Sequence, residues 1–396
     1  MFRLFNYILP IFIFSLTVSP VFVKAESLRD SVETINYSIQ TADNETKDNA
    51  LTRLIKYFDS SNKKEITSRP DFSVLGGPHY SSEKGFGLGL VVAGLYSTQP
   101  TNSLLPISNI SLVGNIATKK FYMVGVEGVH VFPKNTKRIN YDLSFESFAT
   151  YFWGIGYEMG NNNSNKTKYD LLKLDFVADM EWRLAEGFYI GPAIRFVHSN
   201  AKNIRNDRTW AGLDHASTST AAGLRLQYDL RDNFTAPKRG LLLEVTQLFY
   251  PEFLGNSSNA FSSTEAGFSM YVPVWRDGIV AGRIHGLFTY GSTPWDMMAY
   301  IGGKNMRGYY EGRYRDKNEI DLTLELRQHV WRRSGIVVWS GVATVFPRFG
   351  DIRFKHFLPD FGFGYRWEFK KNSNVRIDIG FGKHSTGFMF GLNEAF

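Results

Sequence analysis

Gly387-Phe388-Met389-Phe390-Gly391-Leu392-Asn393-Glu394-Ala395-Phe396 is the last stretch of the sequence. Counting back in twos from Phe396 gives Glu394, Leu392, Phe390 and Phe388, a nearly continuous apolar row. A strand shows alternate side chains to opposite faces. One face is therefore greasy at a C-terminus, where soluble chains usually fray. An apolar outward row ending in an aromatic suits a lipid-facing strand of an outer-membrane β-barrel. A buried C-terminal strand of a soluble sandwich would read the same way, so the rest of the chain has to decide.

From Asp71 onward the period is two. Leu172, Leu174, Phe176, Ala178, Met180 and Trp182 alternate with Lys173, Asp175, Val177, Asp179, Glu181 and Arg183. Phe361, Phe363, Tyr365, Trp367 and Phe369 alternate with Gly362, Gly364, Arg366, Glu368 and Lys370. One face is apolar and aromatic, and the other carries charge and glycine. Strands of this length cross a bilayer at a tilt. A charged interior inside a lipid-facing wall satisfies both rows, and a closed barrel leaves no unpaired edge in lipid. Tight turns such as Ala185-Glu186-Gly187 and Arg333-Ser334-Gly335 alternate with long polar stretches at 158–168, 200–215 and 292–318. Sixteen strands are expected, near 71–78, 85–96, 108–117, 120–132, 138–150, 169–183, 187–199, 217–230, 240–250, 261–273, 278–291, 319–331, 335–346, 356–369, 374–383 and 386–396. The fold class is an all-β transmembrane antiparallel barrel, preceded by a short helical segment.

Composition agrees. There are no cysteines, which excludes disulfides, thiol catalysis and thiolate metal sites. Aromatics make up 15% of residues and there are 36 glycines, both high for a soluble globular chain. Mean hydropathy is only −0.22, as expected when half of each strand faces water and too polar for a helical membrane protein. The net charge of +7 is spread along the chain and reads as loops and a polar lumen, not a nucleic-acid surface.

Residues 1–25 read as a cleaved export signal. Arg3 supplies the positive end, Ile8 to Val23 is mostly apolar but broken by Pro10 and Pro20, and Val23-Lys24-Ala25 precedes Glu26 at cleavage spacing. A membrane anchor would need ~20 apolar residues without such breaks. Residues 26–70 are polar and carry Leu51, Leu54, Ile55 and Phe58 at helical spacing, with Pro70 as a stop. This amphipathic segment is expected at the periplasmic mouth of the barrel, partly plugging it. The expected domains are thus a signal at 1–25, a helical periplasmic segment at 26–70 and the barrel at 71–396.

Three segments give a family resemblance. Asp229-Leu230-Arg231-Asp232 is followed by Pro237-Lys238-Arg239-Gly240 and Leu243. Gly302-Gly303-Lys304-Asn305-Met306-Arg307-Gly308-Tyr309 lies in the longest loop. Arg376-Ile377-Asp378 leads into the terminal strand, with its aromatic signal at Phe388, Phe390, Leu392 and Phe396. In order and spacing the chain resembles the BamA/TamA superfamily of outer-membrane proteins, the bacterial surface antigen family. The resemblance implies a strand–turn–strand motif at Asp229, Arg231, Asp232, Pro237 and Gly240. It also implies a loop that folds back into the lumen on Arg307, Gly308 and Tyr309. In the family that arginine pairs with acids on the following strands, and Glu325 matches the first of them. Physics agrees that an arginine inside a barrel needs a carboxylate partner, and Asp321 and Glu325 both face inward. The chain departs at Trp339-Ser340-Gly341, where Gly341 occupies the usual aspartate position. An aspartate there is expected to tighten the pairing. The other reading of Arg307 is contact with solvent or surface sugars alone. A second departure is that 26–70 is too short for the periplasmic POTRA domain that family insertases carry, so the chain resembles a barrel-only branch.

No enzyme constellation is found, and no cofactor or metal is expected. The eight histidines, His79, His130, His198, His215, His285, His329, His356 and His384, form no HExxH and no close pair along the chain. Gly85-Phe86-Gly87-Leu88-Gly89 opens a strand, so phosphate binding is not expected. Arg195, Arg225, Arg283, Asp175, Asp179 and Glu244 are expected to line the lumen as paired charge. The resemblance implies a bacterial outer-membrane location and a monomeric barrel in contact with lipid. It further implies insertion or translocation of a protein or lipid client through a seam between first and last strands. An unfolded outer-membrane protein or a periplasmic accessory protein is the implied partner. The alternatives are a passive pore or structural barrel without a client, and the barrel of a self-secreting system whose passenger is encoded elsewhere.

Overall fold

The computed structural model describes residues 67–81, 84–101, 106–205, 207–256, 260–370 and 373–396. The expected export signal and the Leu51, Leu54, Ile55 and Phe58 stripe lie outside the described residues. The strands are β1 (Asp71–Ser81), β2 (Gly85–Tyr96), β3 (Ser108–Ala117), β4 (Phe121–Val131), β5 (Lys137–Phe152), β6 (Thr167–Ala185), β7 (Phe188–Lys202), β8 (Ala216–Asp229), β9 (Gly240–Tyr250), β10 (Phe261–Trp275), β11 (Gly278–Gly291), β12 (Ala299–Ile301), β13 (Tyr314–Asp316), β14 (Asn318–Trp331), β15 (Ser334–Phe346), β16 (Leu358–Lys370), β17 (Ser373–Gly382) and β18 (Ser385–Leu392). Sixteen of them form one sheet in chain order, with β11 beside β14. The short strands β12 and β13 pair only with each other.

Every neighbouring pair in the large sheet is antiparallel, as a meander of hairpins requires. The sheet curls until Cα atoms of β18 lie within 8 Å of those of β1. Among the described residues no backbone ladder joins these two strands, so the barrel wall is one ladder short of closure.

Burial separates the two faces and decides against a sandwich. On β14, Asp321 and Glu325 are 0% and 1% exposed, while Leu322 and Leu324 are 41% and 54% exposed. On β16, Asp360 and Arg366 are buried, while Phe361, Phe363 and Tyr365 are exposed. Carboxylates and guanidinium groups inside, with leucine and phenylalanine outside, invert the water-soluble arrangement. The inversion fits a wall whose outer solvent is lipid.

Each expected strand overlaps an observed one, and two features were not anticipated. The 292–318 stretch, read as plain loop, carries the β12–β13 hairpin. The loop between β5 and β6 carries a short helix, α1 (Tyr157–Asn161). The two loops are tied together: Gly156 N donates to Arg315 O at 2.7 Å, and Arg313 Nε donates to Gly160 O at 2.9 Å.

The C-terminal row needs correction. Phe388 and Phe390 belong to β18, and Phe390 is exposed as expected. The strand ends at Leu392, not at Phe396. Asn393 takes a left-handed conformation (φ 60°), a step that asparagine tolerates better than most residues. The next residues then turn onto the charged face. Ala395 is buried, and the Phe396 ring lies 5.1 Å from the Arg327 guanidinium and 6.3 Å from the Tyr271 ring. Phe396 therefore does not face lipid. The physical reason is Glu394: a carboxylate on the lipid face would be unpaired, and the turn delivers it to two arginines inside.

Candidate functional site: the loop arginine and its charge network

Between β11 and β14 the chain runs back across the charged face of the sheet. Met306 and Tyr309 anchor it in an apolar cluster with Ile301, Tyr314, Ala343, Val345 and Leu358. Tyr309 Oη donates to Pro359 O at 2.6 Å and accepts from Lys383 N at 2.8 Å. Burial holds its phenol well above the usual tyrosine range.

This anchoring places Arg307, which is 1% exposed. Its Nη2 donates to Glu325 Oε1 on β14. Nη1 lies 3.3 Å from Asp378 Oδ2 on β17. The guanidinium carbon sits 4.1 Å from the centre of the Trp339 ring on β15, a cation over an aromatic face. The following residue, Gly308, donates its N–H to Asp360 Oδ1 on β16 at 2.8 Å, and Trp339 Nε1 donates to Oδ2 of the same carboxylate at 3.4 Å. One loop dipeptide thus touches four consecutive strands.

The fifth strand is reached through backbone proximity. A Cβ on Gly387 of β18 would stand 1.9 Å from Arg307 O, and one on Gly308 would stand 2.4 Å from the Phe381 carbonyl carbon. Only glycine at both positions lets the loop lie this close to β17 and β18.

The pairing continues beyond Arg307. Glu325 Oε2 accepts from Arg327 Nε at 2.8 Å. Arg327 Nη2 donates to Phe396 O at 3.0 Å and Nε lies 3.8 Å from Glu394. Arg366 donates to Glu394 at 2.8 Å and to Asp378 at 2.6 Å. The loop arginine and the C-terminal tail are therefore joined through one buried network of charge-assisted bonds.

The pairing of Arg307 with Glu325 lies where the sequence reading placed it. Asp321 does not join it and sits instead beside Arg283 and His285. Sequence reasoning missed Asp378, Asp360 and Trp339 as partners of the loop. Alternation alone places Asp378 on the charged face, but nothing in its spacing says which cation it meets. The expectation for Gly341 is corrected. A Cβ there would stand 2.9 Å from Leu322 O and 3.2 Å from Thr323 Oγ1, so an aspartate has no room. Asp378 supplies the second carboxylate from another strand.

The strand–turn motif forms the turn from β8 to β9. Arg231 makes a two-pronged bond to Asp229, at 2.9 and 3.1 Å. Asp232 Oδ1 accepts from Lys238 N and Arg239 N, closing the turn that carries Pro237 and leads into Gly240. Thr235 O in that turn accepts from Glu394 N at 3.1 Å, which places the motif against the C-terminal tail. The expected lumen charges are paired: Arg195 with Asp175, and Arg225 with Glu244, Glu181 and Asp179.

Residues 130–392 match the Omp85 superfamily domain. The chain belongs to the Omp85 superfamily. It is an outer-membrane barrel of that family, and its fold is similar to solved members. It matches BamA from Haemophilus ducreyi lacking POTRA domains 1–3 with a TM-score of 0.55 at 12% identity, over 82% of this chain and 70% of that one. It matches CdiB from Acinetobacter baumannii with a TM-score of 0.51 at 10% identity, over 83% of this chain and 60% of that one. CdiB from Escherichia coli gives 0.50 at 12% identity, over 80% and 59%. No curated protein sequence matches it. At these identities the solved structures establish the fold of this Omp85 chain and nothing finer.

Proposed function

We propose that this Omp85 barrel inserts or translocates a protein or lipid client of the outer membrane, through the seam between β1 and β18. The observation that carries the reading is the seam itself. Fifteen neighbour pairs in the sheet share ladders, whereas β1 and β18 adjoin without one among the described residues. An unpaired strand edge is a template for an incoming strand. The backbone of Arg307 rests on Gly387 of β18, so the loop network bears on one side of that edge. The role is non-catalytic and needs no cofactor. The client is an unfolded outer-membrane protein or a lipid, and outer-membrane lipid surrounds the wall.

The absence of cysteine makes the test clean. Cysteine pairs scanned along 71–81 and 385–392 should find positions that crosslink β1 to β18. Oxidation should then stop client assembly in cells while conductance through the purified barrel is unchanged, and reduction should restore assembly. A photo-crosslinker on β1 should capture an unfolded barrel client. If sealing the seam leaves outer-membrane protein and lipid content untouched, the passive pore is the better account.

A further inference from the structure

A second cluster sits on the charged face, built from residues outside the Arg307 network, with Glu265 half-exposed at its edge. It joins β10, β11 and β14. His285 Nδ1 lies 2.9 Å from Glu319 Oε1 and 2.9 Å from Asp321 Oδ2. His285 Nε2 lies 3.1 Å from Glu265 Oε1, and Asp321 Oδ1 lies 3.3 Å from Arg283 Nη1. His285, Glu319 and Asp321 are each less than a tenth exposed, and their candidate ligand atoms all lie within 4.8 Å of one another.

Hydrogen bonds account for Asp321 at Nδ1 and Glu265 at Nε2, but leave Glu319 Oε1 against Nδ1 without a proton of its own to accept. One ring nitrogen carries at most one proton, yet two buried carboxylates converge on Nδ1. At ion-pair distance among the described residues, Glu319 meets His285 alone, whereas Asp321 also meets Arg283. A divalent ion resolves both problems. Two ligands at ~2.1 Å from a metal stand about 3.0 Å apart in an octahedral site and about 3.4 Å apart in a tetrahedral one, so a shift of about half an ångström or less from the observed separations admits either geometry. The other ring nitrogen faces a carboxylate, the arrangement that fixes the ring of a metal-binding histidine. One imidazole with two carboxylates is a mixed nitrogen and oxygen donor set. It suits Zn²⁺ or Mn²⁺ better than Ca²⁺, which takes oxygen alone, or Cu⁺, which prefers sulfur.

We propose that His285, Glu319 and Asp321 bind one divalent transition-metal ion, with Glu265 orienting the imidazole and Arg283 holding the free oxygen of Asp321. The sequence could not show this. His285 and Asp321 are far apart in the chain and become direct partners only in the β11–β14 register, with Glu319 two residues away on the same face. The consequence is local. β11 leaves the sheet at Gly291 and β14 re-enters it at Asn318. The ion would pin the two strands at the root of the loop that carries Arg307. This site stands on its own geometry and is independent of the proposed client activity.

The test uses the full chain folded in detergent and stripped with a chelator. Titration with Zn²⁺, followed by gel filtration and metal analysis, should find about one ion per chain. Glu265→Gln should weaken binding about tenfold, as loss of an orienting partner does. His285→Ala, and separately Glu319→Gln with Asp321→Asn, should abolish it, while His198→Ala on the opposite face should not. Zn²⁺ should also slow proteolysis within 292–317 several-fold in the unmutated chain. Should a variant fail to fold, diethyl pyrocarbonate labelling of the unmutated chain still decides, because Zn²⁺ should protect His285 and leave His198 reactive. Zn²⁺ retained equally by His285→Ala, or no protection of His285, overturns the site.

Discussion

Arg307 meets Glu325, Asp378 and the face of Trp339 at once, and all are buried. Removing one partner of a buried ion pair costs ~3–5 kcal/mol, because the other charge is left stranded. The barrel wall is held by its own ladders, so the loss should appear as loop release and not as unfolding. Arg307→Ala should make 292–317 cleavable by protease in intact cells, and Glu325→Ala should do the same. The double variant should be little worse than either alone, since both belong to one network. Trp339→Phe keeps an aromatic face under the guanidinium and loses the Nε1 bond to Asp360, so it should have a smaller effect than Arg307→Ala. Gly387→Val separates backbone fit from charge. It keeps every ionic group and should still release the loop, because its Cβ would collide with Arg307 O. Gly341→Asp should lower thermal stability instead of tightening the pairing. At this scale the sequence exposed the Arg307–Glu325 pair, because the motif and the alternation both point to it. It did not expose Asp378 or Asp360, whose meeting with the loop depends on how far the sheet curls.

Among the elements, the strands were the most legible part, since a period of two with charge on one face has few other solutions. The last one was misread at its end because Glu394 was counted into an apolar row. A single carboxylate there was the physical signal of a turn. Residues 393–396 form a tail that binds Arg366, Arg327, Asn374 and the β8–β9 turn. Glu394→Ala leaves Arg366 and Arg327 each short of a carboxylate. It should lower the temperature at which the folded band disappears in a gel-shift assay, and more so than Phe396→Ala. Equal effects would mean that the ring, not the carboxylate, holds the tail. The β12–β13 hairpin and α1 were illegible because each is only a few residues long and is stabilised by the other loop.

For the molecule as a whole, the buried charges and exposed leucines and phenylalanines predict behaviour that any laboratory can check. The protein should fractionate with outer membranes, and its gel mobility should change on boiling, because a sheet with this many ladders resists detergent until heated. Recovery as a soluble monomer would contradict the burial pattern itself. The wall also varies in height. β6 has nineteen residues and β18 has eight. At ~3.4 Å per residue and a tilt of ~45°, those lengths give vertical spans of roughly 46 and 19 Å. The apolar band of an outer-membrane barrel is ~25 Å tall. Acyl chains beside β18 therefore meet a wall too low to cover them, and the bilayer must thin or disorder there to avoid exposing hydrocarbon. Lipid defects would then gather along one side of the protein, and its tilt and neighbours in the membrane would follow from the lengths of its strands.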